Sequence, residues 1–170
     1  EITQSTIGLE TCGGPVQFTA SLQALVIDNC NIAITTLLNG TPNTVIKNNS
    51  EVTFANGEFY AGEFAAHDSV ITGSVNASVH VVGSNSIFYN AITVHGVLNL
   101  QRCNVAGAII QTSTDANFVV TLLNNTLGGS YYMFGAPLTQ SVVSGKIEYN
   151  NSNATIAIII DRSNFDLDET

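Results

Sequence analysis

Glu51, His67 and Asp68 are the residues of this chain best suited to chemistry. Acid-catalysed cleavage of a polysaccharide needs two carboxyl groups within about 5–10 Å of each other. A chain that repeats about every 20 residues would bring Glu51 and Asp68 into neighbouring places, with His67 beside them. Solvated acids at a turn are by far the better account of the same residues, so no catalytic residue is assigned. Asp28 and Asp161 share a column of such a repeat but lie about seven rungs apart, and Glu58 and Glu63 flank Phe59-Tyr60-Ala61-Gly62 without a partner. The four basic residues are too few to hold an acidic sugar chain. An active lyase or hydrolase is therefore not expected.

Metal chemistry finds no better footing. His67, His80 and His95 lack the HxH or HExxH spacing, and Cys12, Cys30 and Cys103 form no CxxC pair. The stretch GLETCGG lacks the lysine of a phosphate loop. DRSNFDLD, from Asp161 to Asp168, offers oxygens to calcium but lacks the glycine and bidentate glutamate of an EF-hand loop. No metal and no cofactor is expected. Thirteen acids against four bases give a net charge of −9, which argues against nucleic acid, whose phosphates need clustered Lys and Arg. No apolar run reaches the ~18 residues of a membrane span. Glu1 stands where an initiator Met would, as after removal of a secretory signal.

The elements that would position these residues are strands. The chain is 45% hydrophobic and only 10% charged, against a usual charged share of about 25%. It is rich in Asn, Ser, Thr, Val and Ile, a composition that favours strands joined by polar turns. A Cys-Asn-aliphatic-Ala phrase recurs at Cys30 and Cys103. Taking Asn31 as anchor, similar corners fall at Gly13, Asn49, His67, Asn85, Asn104, Asn125, Gly145 and Asn164. The step from each corner to the next stays close to one value, about 20 residues. The preceding column is small or polar throughout, and aliphatic runs such as Val26-Ile27, Val81-Val82 and Ile158 to Ile160 lie upstream.

That period predicts a single-stranded parallel β-solenoid of about 8–9 short rungs stacked some 4.8 Å apart. Asn suits the corner because it tolerates left-handed backbone angles. The segments LVIDNCNI, LNLQRCNV, VVTLLNNTL and IIIDRSNF resemble the rungs of right-handed parallel β-helix proteins, a group that includes pectate-lyase-like enzymes, viral tailspikes and surface adhesins. The resemblance implies a fold and not an activity. The alternative architecture is a β-sandwich or jelly roll with an exchanged terminal strand. Residues 1–170 are expected to form one solenoid domain, with 1–12 and 165–170 as terminal arms or caps.

The repeat gives the remaining residues candidate roles. Cys12 and Cys30 fall in one column on adjacent rungs, about 4.8 Å apart, inside the distance range of a disulfide; a stack of free thiols fits nearly as well. Cys103 is left buried and unbridged. Six glycosylation sequons occur, at Asn39, Asn48, Asn76, Asn124, Asn150 and Asn153, of which Asn39, Asn76 and Asn153 share one face of the repeat. Tyr131, Tyr132 and Phe134 are candidate partner or glycan contacts, as are Phe59, Tyr60 and Phe64, with core packing as the alternative for both groups.

The function expected from this sequence is structural and non-enzymatic. It is that of an extracellular, cell-surface or virion-surface filament, fibre or spike subunit, meeting copies of itself through β-rich ends or flanks. A carbohydrate-binding adhesin contacting a cell-surface glycan is the second reading, and a polysaccharide-active enzyme the third.

Overall fold

The computed structural model describes residues 6–18, 21–37, 40–112, 117–123, 125–127, 131–134, 144–150 and 158–161. These residues form seventeen strands and no helix. In chain order they begin with β1 (Thr6–Glu10), β2 (Gly13–Phe18), β3 (Ala24–Asp28), β4 (Asn31–Leu37), β5 (Asn43–Lys47) and β6 (Glu51–His67). The middle of the chain gives β7 (Val70–Ser84), β8 (Ile87–Phe88), β9 (Ile92–His95), β10 (Val97–Gln101), β11 (Asn104–Val105) and β12 (Ile109–Thr112). The last are β13 (Asn117–Leu123), β14 (Thr126–Leu127), β15 (Tyr131–Phe134), β16 (Ser144–Asn150) and β17 (Ile158–Asp161).

Every pairing among them is parallel and joins a segment to the one a turn away. The pairings sort into three faces. On the first stack β1, β3, β5, residues 63–67 of β6, residues 80–84 of β7, β10, β13 and β16. The second holds β2, β4, the starts of β6 and β7, β8, β11 and β14. The third holds the middles of β6 and β7, then β9, β12, β15 and β17. The protein is a parallel β-solenoid of about six turns. The expected eight to nine rungs counted corners, whereas among the described residues the third face is paired only from residue 58 onward. A β-sandwich would require antiparallel sheets, and the parallel ladder replaces it.

Alternating burial shows why these segments become strands. In β3, Leu25 and Ile27 are buried while Ala24, Val26 and Asp28 are only partly so, the period-two pattern of a half-buried strand. In register, Leu25, Thr44, Phe64, Val81 and Leu98 make one inward column, and Ile27, Ile46, Ala66, Gly83 and Leu100 the next. Size is balanced within a rung: Thr44 accompanies Ile46, Phe64 accompanies Ala66, and Val81 accompanies Gly83. A Cβ on Gly83 would stand 2.8 Å from Leu100 Cδ2 and 3.2 Å from Phe88 Cε2, so this position must stay small.

Phe59 and Phe64, candidate contact residues by sequence, belong to this core. Phe59 stacks on Phe54 at 4.5 Å and meets Phe64 edge-on at 6.1 Å, and Phe64 lies 6.4 Å from Phe88. Their rings are worth more inside than on the surface. Tyr60 alone of that group is exposed.

Candidate functional site

The corner between the first and second faces is the most specialised part of the molecule. Each turn from Thr11 to Arg102 spends one residue there at positive φ, namely Thr11, Asn29, Asp68, Asn85 and Arg102, with Asn48 and Asn49 both left-handed in the third turn. The next residue points inward and is small, and the one after begins a strand. The inward column reads Cys12, Cys30, Ser50, Ser69, Ser86, Cys103 and Asn125; the strand-start column reads Gly13, Asn31, Glu51, Val70, Ile87, Asn104 and Thr126.

These columns correct the sequence alignment. Gly13, Asn31 and Asn104 stand where expected. Asn49, His67, Asn85 and Asn125, expected at the same level, fall short of the strand starts at Glu51, Val70, Ile87 and Thr126. Gly145 sits inside the first face opposite Phe118, not at a corner, and Asn164 lies outside the described residues. The cause is uneven turn length. Along the inward column Cys12 precedes Cys30 by 18 positions, Cys30 precedes Ser50 by 20, Ser69 precedes Ser86 by 17 and Cys103 precedes Asn125 by 22. The left-handed residue is Asn29 rather than Asn31. A better signal was the pair formed by a left-handed polar residue and Cys or Ser: Asn29-Cys30, Asn49-Ser50, Asp68-Ser69 and Asn85-Ser86.

The inward column holds the corner's backbone together. Ser50 Oγ accepts from Cys30 N at 3.1 Å and donates to Lys47 O at 2.6 Å. Ser86 Oγ accepts from Ser69 N at 3.2 Å and donates to Ser84 O, while Ser69 Oγ donates to His67 O. Asn125 repeats the device with its amide, accepting from Cys103 N and donating to Leu100 O, each at 2.8 Å. Such groups are buried, and each left unpaired would cost about 1–3 kcal/mol. At the first two rungs sulfur takes this place: Cys12 N donates to Cys30 Sγ at 3.2 Å, and the two Sγ atoms lie 2.7 Å apart as free thiols. Partial burial, and then the bond to Cys30, push the Cys12 thiol up to about 11. Burial also raises Cys103, whose column neighbours are Ser86 and Asn125.

Outside the corner, side chains form two polar ladders. Lys47 Nζ pairs with Asp28 Oδ2 at 3.1 Å, and Asn48 Nδ2 donates to Asp28 Oδ1 at 2.6 Å. The Asn48 amide first, then the Lys47 ammonium, hold the Asp28 carboxyl below its ordinary value. Further along, Arg102 Nε donates to Asn85 Oδ1 at 2.6 Å, and Asn85 Nδ2 donates to Asp68 Oδ1 at 2.9 Å. Glu51 Oε2 accepts from Asn31 Nδ2 at 3.0 Å.

Between the ladders lies an open depression of about 300 Å³ lined by Asn49, Ser50, Glu51, Asp68, Ser69, Val70, Asn85 and Ile87. The structure thus brings Glu51 and Asp68 to one site, as their spacing suggested. His67 takes another role, its Nδ1 lying 2.7 Å from Ser84 Oγ in the adjoining ladder. Exposed carboxylate and amide groups of this kind can exchange hydrogen bonds with hydroxyls.

The other candidates are scattered. Asp28 closes β3 on the first face and Asp161 closes β17 on the third, so their expected common column does not exist. Glu63 lies 3.9 Å from His80. Tyr60 donates its hydroxyl to Glu58 at 2.9 Å, and that carboxylate raises the phenol. Asn48 is exposed at the corner, Asn76 is half-buried within β7, and Asn150 ends β16. Asn39, Asn124 and Asn153 lie outside the described residues. Tyr131, Tyr132 and Phe134 fall in β15, opposite Ile109, Ile110 and Thr112. Among the described residues no three His, Cys, Asp or Glu side chains gather as a metal site. Among them, too, no helix is long and apolar enough to cross a membrane.

Fold and corner together define a parallel β-solenoid, and the likeness to parallel β-helix proteins holds at the level of the fold. No protein-family model, curated protein or solved structure matches the chain.

Proposed function

We propose that the chain is a structural subunit of an extracellular or virion-surface fibre, filament or spike, joined to copies of itself through the end of its ladder. One observation carries the reading. Ile7, Leu9, Cys12 and Val16 in the outermost described rung are only partly buried, yet they pack on the core. Their partners one rung in, Leu25, Ile27, Cys30 and Ile34, are 0%, 0%, 1% and 4% exposed. The outermost described rung therefore carries core residues in core register that are only partly covered. A further rung laid on it would bury them and continue the backbone ladder, as an exposed strand edge can template another chain.

Head-to-tail contact of this kind is heterologous and builds open filaments when it does not close. The low charge content of the chain suits such dense packing. Light scattering behind size-exclusion chromatography, with negative-stain microscopy, tests the proposal. Rods, filaments or defined oligomers are expected at micromolar concentration. A monodisperse monomer with no assembled species would sink it.

The polar depression at Glu51, Asp68 and Asn85 favours a second reading, an adhesin that binds glycan hydroxyls there. Glycan-array binding lost in Asp68→Ala would support it. Neither reading calls for a cofactor or for nucleic acid.

A further inference from the structure

We propose that Cys12 and Cys30 form a disulfide that staples the first corner to the second under oxidising conditions. Three observations carry this inference, and none depends on assembly. The first is register: Glu10 pairs with Asp28 and Gly13 with Asn31, so the two cysteines between them stand directly opposite on adjacent rungs. Rungs about 4.8 Å apart lie within the ~4.4–6.8 Å Cα range of disulfides.

The second is the position of the sulfurs. Both side chains turn to the same side of the corner and their Sγ atoms lie 2.7 Å apart, closer to bonding than to ordinary non-bonded contact. The third is selectivity. Cys103 occupies the same column but stands between Ser86 and Asn125, so the one thiol pair on adjacent rungs is Cys12 with Cys30.

The reaction needs an oxidant, and a small-molecule disulfide such as oxidised glutathione supplies it. Half-exposed Cys12 is the entry point. Its thiolate attacks the reagent, forming a mixed disulfide and releasing one thiol. Cys30, buried beside it, then displaces the second thiol and closes the Sγ–Sγ bond. Two protein thiols lose two protons and two electrons; the reagent is reduced to two thiols. Closure joins positions 18 residues apart.

Peptide mapping after incubation of the folded chain with oxidised glutathione tests this. No Lys or Arg lies between the two cysteines, so trypsin leaves them on one peptide. Cleavage after Phe18 separates them. The expected result is a Cys12 peptide linked to a Cys30 peptide until reductant is added, with Cys103 alkylated only after unfolding. The link should survive Cys103→Ser and vanish in Cys12→Ser. Separately alkylated Cys12 and Cys30, a stable glutathione adduct on Cys12, or linkage to Cys103 would each overturn the proposal.

Discussion

Cys12 shows how much a single side chain's surroundings matter here. While the pair is reduced, its thiol is raised from 9.0 to about 11, so the folded protein keeps that proton when the unfolded chain has lost it. Between those values the unfolded state binds fewer protons, and stability falls as pH rises. Denaturation midpoints of the reduced protein should therefore drop from pH 9 to pH 11 more steeply than those of Cys12→Ser. Equal slopes would mean that the Cys12 environment is ordinary. Alkylation of Cys12 should also speed up about tenfold per pH unit below its pKa, since only the thiolate reacts. The opposite sign applies to Asp28, whose lowered carboxyl favours the fold above its unfolded pKa and ceases to do so as acid protonates it.

Among the elements, the corner rather than the strand sets the repeat. Its left-handed residue keeps φ near 50° to 60° in every described turn, although the residue type varies from Asn to Asp, Thr and Arg. At Asn85 the backbone angle and the side-chain ladder to Asp68 and Arg102 can be separated by mutation. Asn85→Ala keeps a Cβ at φ 49° and loses both bonds, and should cost about 1 kcal/mol in chemical denaturation. Asn85→Gly loses the same bonds but frees the backbone, so it should cost less than half as much. Equal losses would assign the effect to the ladder instead. This distinction also explains what could be read from the sequence. The period was legible because Asn29-Cys30 and Arg102-Cys103 repeat one backbone device, and Glu51 and Asp68 were placed at one site on that basis. The register was not, because turn length varies, from 17 positions between Ser69 and Ser86 to 22 between Cys103 and Asn125. In addition, β6 and β7 run through bends without a break. Asp68 and Arg102 fill the place of Asn without looking like it.

For the whole molecule, a solenoid can grow by adding rungs because each rung contacts only its neighbours. The same inward columns that bury Leu25 and Ile27 continue outward to Ile7 and Leu9, where they are only partly covered. This makes the end of the ladder separable from its interior: a change there should alter assembly far more than folding. Leu9→Asp tests the separation. It places a carboxylate in the column of Ile27, Ile46 and Ala66, but in the outermost described rung, where the side chain is only partly covered. A copy docking on that rung would have to bury the charge unpaired, at a cost of several kcal/mol. The variant should keep its β-sheet circular dichroism with a modest loss of stability, while oligomers or filaments fall at least tenfold in light scattering. Ile27→Asp, one rung inward, should instead unfold the chain outright. If Leu9→Asp assembled like the parent protein, the contact between copies would lie on a flank of the solenoid and not at its end.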